Sequence, residues 1–229
     1  MSKLIGIIGA MDIEVDGLLK EMGEHDSKTV SGIVFHSGKI NNKRVVVAKC
    51  GIGKVFAAMC AQTMILEYKP DAIINTGVAG TLTNELSIMD VAIAKNVVQH
   101  DMDTSAIGDP VGLISAINKI YIETDENVRN TLKNACVALD CKHYLGTIAS
   151  GDKFIADSME KERIKNAFDA AACEMEGASI GQVCYVNDIP FGILRAISDG
   201  EGAEMDYSTF APLAANQSVD ITKKFIELY

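Results

Sequence analysis

The sequence predicts an α/β fold with three layers, α/β/α, around a central mixed, largely parallel twisted sheet. Short runs of β-branched residues alternate with amphipathic stretches along the whole chain, as they do in such folds. The runs are apolar throughout, which is typical of strands that helices cover on both faces. Proline totals only 4 in 229 residues and no linker is evident, so we expect a single domain over residues 1–229.

The elements follow one another in a regular order. The first strand, Leu4–Ile8, leads into a helix over Asp12–Met22, and the Asn41-Asn42 turn separates two further strands. After residue 8, strands are predicted at 30–36, 44–48, 72–75, 91–94, 96–98, 144–149, 172–175 and 191–197. Later helices are predicted at 55–68, 124–139, from 158 onward, 177–187 and 208–228, with Thr124 and Ser158 as N-caps.

The charge balance excludes whole classes of partner. Lysine and arginine total 21 and aspartate and glutamate total 31, which leaves a formal net charge of −10. Binding to phosphate backbones or anionic membranes needs a basic surface, and the chain has no basic stripe. We therefore expect neither nucleic acid nor a membrane among the partners. At 48% apolar and 23% charged residues, the composition is that of an ordered globular chain.

Cysteine and histidine usage predicts a reduced, cytoplasmic protein without a metal. Six cysteines occur, mostly in apolar stretches, and none forms a C-x-x-C pair. We interpret them as core thiols, not disulfides. The four histidines share no metal-ligand spacing, and no cofactor is predicted. The apolar N-terminus lacks a convincing cleavage site, and no stretch approaches the ~20 apolar residues of a membrane span.

Two glycine-containing turns follow predicted strands and have competing interpretations. Gly9–Glu14 lacks the G-x-G-x-x-G spacing of a dinucleotide site, but its small residues would let a ligand approach the backbone. Glu14 would lie in the first helical turn, as a water-activating base or simply as a complement to the helix dipole. Gly51–Lys54 suggests a phosphate loop, yet Val55 stands where the hydroxyl residue should be, which favours a tight turn.

Acidic and basic side chains at strand ends give the more specific signal. Glu174 and Glu176 flank Met175 at the end of an apolar strand, where alternation would point both carboxylates to one side and the methionine to the other. Arg195 lies inside an apolar strand and needs an acidic partner, because an unpaired buried cation is costly. Asp199 opens the loop beyond that strand.

Two further segments follow strands and are rich in small residues. Asn75–Gly80 suggests either close ligand approach or tight packing. Ser150–Ile155 ends in Phe154, which could stack on a flat ring or belong to the core. Since ligands of α/β sheets bind beyond the carboxyl ends of the strands, we expect these segments to surround one site.

In this order and at this spacing, these segments resemble the methylthioadenosine/S-adenosylhomocysteine nucleosidases, which have a nucleoside phosphorylase-like fold. The resemblance covers nearly the whole chain and rests on the following residues: Gly9–Met11 with Glu14, Gly51–Lys54, Asn75–Gly77 with Ala79–Gly80, Ser150–Asp152 with Phe154–Ile155, Glu174–Glu176 and Arg195–Asp199. It implies a homodimeric hydrolase that cleaves the bond between adenine and a thio-substituted ribose.

The resemblance also implies catalytic roles. Glu14 matches the base that orients and deprotonates water, and Asp199 matches the acid that delivers a proton to adenine at or toward N7. Glu176 matches the carboxylate that holds the ribose hydroxyls. Arg195 matches the residue that helps to hold Glu174 and the water site.

Other residues match groups that hold the substrate. Met175 is expected beneath the sugar, Phe154 against the base, and the backbone of Ile155 at the adenine edge. Tyr207 falls where the family has an aromatic residue over the sugar, on a loop that closes. Ile107 falls in the segment that the family inserts into the site of the partner subunit.

The remaining implied substrate contacts are small or apolar, apart from one serine and one glutamate: Met11, Ile52, Val78, Ala79, Gly80, Ser198 and Glu174. Val78 departs from the family, because relatives often have a serine there near the water and the ribose. The loop Gly200–Asp206 is a little shorter than in well-known relatives, and the segment Ile107–Leu113 also differs.

Three alternatives remain open at this stage. A nucleoside phosphorylase of the same fold would need arginines around its phosphate, and the chain has only four, at Arg44, Arg129, Arg163 and Arg195. A futalosine-type nucleosidase would differ only in substrate. A non-catalytic nucleoside sensor would need the pocket but not three acids.

Overall fold

The computed structural model describes residues 3–200 and 204–229, without the side chains of 204–206. Its described part has ten strands: β1 Leu4–Gly9, β2 Asp26–Val30, β3 Ile33–Ile40, β4 Lys43–Lys49, β5 Ala72–Thr81, β6 Val91–Gln99, β7 Ile122–Glu123, β8 His143–Ser150, β9 Ala170–Glu174 and β10 Phe191–Asp199. It has six α-helices: α1 Asp12–Met22, α2 Lys54–Tyr68, α3 Glu126–Ala138, α4 Ser158–Phe168, α5 Gly177–Val186 and α6 Glu204–Leu228. The predicted mixed α/β fold is confirmed.

The sheet closes on itself over half of its width, which the sequence did not predict. Strand β10 pairs with both β5 and β6, β6 continues through β8 to β9, and β9 returns to β5. These five strands form a barrel, and β1, β4, β3 and β2 extend from β5 as an open sheet. The sheet is mixed, as predicted: five pairings among the described strands are parallel and five are antiparallel, and the longest, β10 with β5 and β6 with β8, are parallel.

Strand β5 joins the open sheet to the barrel because it changes partners along its length. Its first half, from Ala72 to Asn75, pairs with β1, and its end, at Gly80 and Thr81, pairs with β9. Strand β10 runs along its other edge throughout. The second half of β5 therefore lies where the ends of β1, β9 and β10 converge.

Five of the six described α-helices cover the sheet in two groups that match two apolar cores, and α4 packs with Ile164 and Phe168 on a third. Helices α2 and α5 pack against each other over one core, which includes Met64, Ile73 and Ile180. Helices α1, α3 and α6 pack over the other, which includes Leu18, Leu132 and Phe225. Burial of these side chains stabilises the fold by roughly 1.5–3 kcal/mol for each large aliphatic or aromatic residue.

Several predicted boundaries need correction. The cap of α3 is Asp125, whose carboxylate accepts from Val128 N, and not Thr124, which bonds to β6 carbonyls instead. Asp157, not Ser158, caps α4 by accepting from Glu160 N. In both cases the aspartate one residue away captures the free N–H groups of the first turn.

Other differences concern whole elements. Strands β2 and β7 were not predicted, since β2 is polar and exposed and β7 has only two residues. The strand predicted at 172–175 begins and ends earlier, so Met175 is outside it. Helix α6 begins at Glu204, and of the loop predicted at Gly200–Asp206, residues 201–203 lie outside the described part.

The cysteines are all free thiols, and five of the six are buried. Burial raises the pKa of the Cys60, Cys136 and Cys173 thiols to about 12, so these residues stay neutral core groups. No helix within residues 3–200 and 204–229 is both long and apolar enough to span a bilayer.

Candidate active site

A cavity of about 340 Å³ opens at the convergence of β1, β5, β9 and β10. It is lined by apolar, small and acidic residues and one lysine: Ala10, Met11, Glu14, Ile52, Val78, Ala79, Gly80, Lys153, Phe154, Ile155, Cys173, Glu174, Met175, Glu176, Ser198, Asp199 and Tyr207. Of the sixteen site residues expected from the sequence, only Arg195 and Ile107 do not line it. The three carboxylates Glu14, Glu176 and Asp199 thus border one space.

Glu14 lies in the first turn of α1, directly after β1, and three backbone N–H groups hold its carboxylate. Its Oε2 accepts from Ala10 N at 2.6 Å and Met11 N at 3.0 Å, and its Oε1 accepts from Val78 N at 3.1 Å. Burial raises the pKa of Glu14, although Arg195 and these N–H groups oppose the rise. A buried carboxylate with a raised pKa and a fixed orientation is suited to accept a proton.

The backbone of β5 passes so close to Glu14 that only glycine fits at one position. A Cβ on Gly77 would overlap Glu14 Oε1 and would lie 2.9 Å from Arg195 Nη1. The same strand supplies Val78 N to the carboxylate. The small residues of Asn75–Gly80 are therefore explained by close approach of the backbone to functional side chains.

Glu174, at the end of β9, is fully occupied by protein partners. Arg195 Nη2 and Ser150 Oγ both donate short hydrogen bonds to it. The backbone N–H groups of Glu176, at 3.1 Å, and Gly177, at 2.7 Å, also donate to its Oε2. Glu174 is thus the predicted acidic partner of Arg195, and it fixes the turn from β9 into α5.

Arg195 lies beneath the cavity floor and is 1% exposed. Besides Glu174, its guanidinium donates to Asn75 Oδ1 at 2.5 Å and lies 3.7 Å from Glu176 Oε2. One buried cation therefore serves two adjacent carboxylates, which is the arrangement in which a buried arginine is stabilised.

Glu176 is the second residue of the turn after β9, directly before α5, and is not part of the strand. Its Oε1 accepts from Gly53 N at 2.9 Å. Burial, followed by repulsion from Glu174, raises the pKa of Glu176 to about 7, while Arg195 acts in the opposite direction. The prediction that strand alternation places Met175 opposite the two carboxylates was wrong, because the chain leaves the strand at Glu174 and Met175 lines the same cavity.

Asp199 ends β10 and is 2% exposed. Its Oδ2 accepts from Lys161 Nζ at 3.0 Å, and its Oδ1 accepts from Ser198 Oγ at 3.1 Å. A Cβ on Gly80 would lie 2.7 Å from Oδ2, so β5 also approaches this carboxylate closely. The acid expected at this position therefore carries a buried cationic partner.

Apolar side chains form the walls between these carboxylates. The rings of Phe154 and Tyr207 meet edge to face, with 5.3 Å between centroids. Tyr207 Oη lies 3.6 Å from Met11 Sδ. Tyr207 was expected on a closing loop, but it lies in the first turn of α6. Such walls offer flat and sulfur-containing surfaces that suit a planar base and an apolar substituent.

The residues between 4 and 227 match the family model described as the phosphorylase superfamily. The chain belongs to the phosphorylase superfamily. Its curated relatives include an aminodeoxyfutalosine nucleosidase of Campylobacter jejuni, 38% identical over 97% of this chain and 98% of that protein. A 5′-methylthioadenosine/S-adenosylhomocysteine nucleosidase of Shewanella pealeana is 38% identical over 93% of this chain and 94% of its own length.

The solved structures of similar proteins agree with this assignment. One is a mutant of the Helicobacter pylori 5′-methylthioadenosine/S-adenosylhomocysteine nucleosidase (MTAN) with 5′-methylthioadenosine in its active site. It superimposes on this chain with a TM-score of 0.95 at 36% identity. The match covers 99% of each chain. The sequence resemblance to this group of nucleosidases is therefore confirmed.

In this superfamily member the Gly51–Lys54 turn is not a phosphate loop. The ammonium of Lys54 pairs with Asp101 at 2.6 Å, and Lys54 N donates to Asp152 Oδ1 at 2.8 Å. Asp152 N in turn donates to Asp101 Oδ2 at 2.9 Å. The tight-turn interpretation is confirmed, and the turn contributes to the site through Gly53 N and the side chain of Ile52.

Ala10, Lys153 and Cys173 also line the cavity, although sequence reasoning gave them no role there; Ala10 and Lys153 lie in segments that it expected around the site. It missed Lys161 behind Asp199. A signal for Lys161 exists: together with Ile164 and Phe168 it forms the buried face of α4, at helical spacing. Ile107 is 82% exposed and does not reach the cavity of its own chain.

Proposed function

We propose that this protein hydrolyses the N-glycosidic bond of 5′-methylthioadenosine and S-adenosylhomocysteine. The products are adenine and the thio-substituted ribose. The single observation that carries the proposal is the convergence of Glu14, Glu176 and Asp199 on one cavity with apolar walls. A sensor that only bound the nucleoside would not need three buried carboxylates, since burying charge is costly.

Asp199 is the proposed acid. Adenine is a poor leaving group as an anion, and protonation at or toward N7 lets it depart neutral. Asp199 lines the cavity at the end of β10, beside the small residues Ala79 and Gly80. General acid assistance of this kind contributes about 10²–10⁴-fold.

Glu14 is the proposed base. It takes one proton from water as the hydroxyl oxygen bonds to the anomeric carbon. Its raised pKa makes it a better proton acceptor than an exposed glutamate, and Ala10 N, Met11 N and Val78 N hold it in place. Val78 provides no side-chain hydroxyl here, so its backbone N–H is the contribution of that position to the water site.

Glu176 is the proposed partner of the ribose hydroxyls, with Met175 beneath the sugar. As the bond to adenine breaks, positive charge develops on the sugar carbon, as in glycoside hydrolysis in general. A carboxylate held by Gly53 N near that carbon stabilises the charge. Arg195 and Glu174 position Glu176 from below and do not contact the substrate.

The adenine is proposed to lie between the aromatic and apolar walls. Phe154 is half exposed at the cavity, where its ring is available for stacking. Ile155 is proposed to bind the adenine edge through its backbone, and Tyr207 to cover the sugar. The proposed reaction moves only water and protons, so we expect no metal or organic cofactor.

Phosphorolysis is the less favoured chemistry because the arginine nearest the cavity is already engaged. Arg195 donates to Glu174 and Asn75 and is buried under the floor. A phosphate would need free donors of this kind in the cavity itself. Among the described residues that line it, Lys153 is the only cation.

Aminodeoxyfutalosine is a second candidate substrate. The observation that favours it is the Campylobacter jejuni aminodeoxyfutalosine nucleosidase, which is as similar to this chain as the Shewanella pealeana enzyme. The same acid, base and ribose contacts would serve, because only the substituent at the 5′ position differs.

An adenine-release assay tests the proposal. Purified protein is incubated with 5′-methylthioadenosine, S-adenosylhomocysteine, deoxyadenosine or aminodeoxyfutalosine, in buffer with and without phosphate. We expect adenine release from the first two at rates that phosphate does not change. Dependence on phosphate would indicate a phosphorylase, and no release from any nucleoside would indicate a binding protein.

We also propose that the protein is a cytoplasmic homodimer. Support comes from the exposed apolar side chains of α2, namely Val55, Phe56 and Met59, and from Ile52 in the turn before it. An apolar surface of this extent suits a second copy of the chain. Ile107 of one copy would then reach the site of the other.

A further inference from the structure

We propose that Lys161 is a positioning residue that supports Asp199 as the acid of the reaction. The inference rests on the proposed function, because it concerns how that acid works. Lys161 Nζ donates to Asp199 Oδ2 at 3.0 Å and to Gly200 O at 3.0 Å. It therefore holds both the carboxylate and the backbone that follows it.

Lys161 reaches Asp199 from the side away from the substrate. It lines a second cavity, of about 550 Å³, together with Leu82, Lys165 and Gly200, and it does not line the cavity that contains Glu14 and Glu176. Asp199 thus separates the ammonium from the proposed position of adenine. Lys161 acts on the reaction through Asp199 and not through contact with the nucleoside.

The burial of this pair makes its charge effective. The side chains of Lys161 and Asp199 are 7% and 3% exposed. Water screens such a pair far less than it screens a surface pair, and unpaired burial of either charge would be costly. The other charged residues of α4 face solvent. Burial of Lys161 against Asp199 is therefore unusual for this helix and indicates a specific role for the ion pair.

The charge has a defined consequence for proton transfer. As Asp199 gives its proton to adenine, negative charge develops on the carboxylate, and the ammonium stabilises that charge in the transition state. Lys161 therefore supports the carboxylate that Asp199 becomes when it gives up its proton.

Other titratable groups that face Asp199 do not provide this effect. From β9, Cys173 lies close, but burial raises the pKa of its thiol to about 12. From α6, Tyr207 lies close, and burial raises the pKa of its phenol as well. Both are neutral over the working range. From β5 the neighbour is Gly80, and Ser198 does not titrate.

The test compares Lys161→Met, Lys161→Arg and Lys165→Met in the full-length protein. The kcat and KM for adenine release from 5′-methylthioadenosine are measured for each variant at one pH. For Lys161→Met we expect kcat to fall at least about tenfold, because the developing charge loses its support. We expect KM to change less than about threefold, because Lys161 does not contact the nucleoside.

Lys161→Arg keeps the charge and should restore most of kcat. Lys165→Met removes a lysine one turn further along α4 that also lines the second cavity, and it should leave kcat and KM unchanged. Thermal unfolding shows whether each variant is folded. If Lys161→Met is too unstable to assay, Lys161→Gln makes the same comparison with a polar, uncharged side chain.

A near-normal kcat in the folded neutral variant overturns the proposal. A loss of kcat in folded Lys161→Arg as large as that in Lys161→Met overturns it as well, since the charge would then be irrelevant. Failure of the proposed function looks different: the unmodified protein itself would release no adenine.

Discussion

Four buried carboxylates surround the cavity, and two buried cations, Arg195 and Lys161, lie against them from outside. Glu174 and Asp199 each contact one of these cations directly. Backbone N–H groups hold Glu14. Gly53 N holds Glu176, which lies farther from Arg195 than Glu174 does. Each acid therefore has a different environment, which is how similar side chains acquire different proton affinities and different tasks.

Asp199→Asn is expected to remove most turnover and to leave nucleoside binding largely intact. Asparagine keeps the shape and a hydrogen bond to the base, but it has no proton to transfer. We expect kcat for adenine release to fall by at least about 100-fold. Calorimetric binding of 5′-methylthioadenosine provides the second measurement. Asp140→Asn, at an exposed turn after α3, is the control, and near-normal kcat in Asp199→Asn would contradict the assignment.

Glu176→Gln is expected to stabilise the protein at alkaline pH while it abolishes activity. Burial first, then Glu174, raises the pKa of Glu176 to about 7 from an ordinary value of 4.5. Between these values the folded state binds more protons than the unfolded state, so this residue lowers stability as pH rises through that window. At pH 8 the full deficit applies, up to roughly 3 kcal/mol, and glutamine removes it.

Urea unfolding at pH 4 and pH 8 measures this difference. The gain in the free energy of unfolding should be small at pH 4 and largest at pH 8. Glu24→Gln, at an exposed position, should show no such pH dependence. A gain of the same size at both pH values would mean that ionisation of Glu176 does not destabilise the folded protein.

Strand β5 shows how one element can serve both the sheet and the site. Its edges pair with β1, β9 and β10, while Gly77 and Val78 pass beside Glu14. A strand buried on both sides leaves little freedom to shift. Substitutions within it should therefore affect the site before they affect the fold as a whole.

Gly77→Ala is expected to reduce adenine release strongly, because its Cβ would displace the Glu14 carboxylate from its N–H donors. Gly32→Ala, in the turn between β2 and β3, is the matched control. Gly32 has a φ of 78° and open space around it, so alanine there should cost about 1–2 kcal/mol of stability without loss of activity. Kinetics and urea unfolding of both variants distinguish backbone strain, which lowers the free energy of unfolding, from displacement of the Glu14 carboxylate, which lowers activity. Full activity in Gly77→Ala would show that Glu14 does not need this position.

At the scale of the whole molecule, barrel closure creates the site. Strands β9 and β5 run antiparallel, yet the end of β9 and the second half of β5 meet at Gly80 and Cys173. Glu174 and Glu176 thereby come to face Glu14, which follows β1, and Asp199, which ends β10. An open sheet with the same strands would leave these carboxylates apart.

Val55→Glu is expected to weaken the proposed homodimer, since a charge at the centre of an apolar interface loses its water. Val55 is 69% exposed on α2. Val137→Glu, on α3 in the other helical layer, introduces the same change at a position that is also exposed. Sedimentation at several concentrations should show dissociation only for Val55→Glu. A monomeric unmodified protein, or dissociation of neither variant, would contradict the proposal.

The sequence by itself determined the class of the fold and most of the site. Periodicity placed α1 over its observed residues, because local burial patterns follow backbone geometry. The functional residues at strand ends could be recognised from the sequence. Packing alone seldom requires glycine-rich turns, a pair of acids or an arginine at the ends of or within apolar strands. Resemblance to a nucleosidase group then assigned roles that spacing alone left open.

Only the tertiary structure decided the closure of the barrel, the departure of the chain from β9 before Met175, and the partner of Asp199. Each depends on contacts between residues far apart in sequence, such as Lys161 and Asp199, 38 residues apart. The spacing of Lys161, Ile164 and Phe168 places Lys161 on the buried face of α4, but no local pattern shows that Asp199 is its partner. Charge, burial and pairing at the site are properties of the folded chain because they are set by neighbours that only folding brings together.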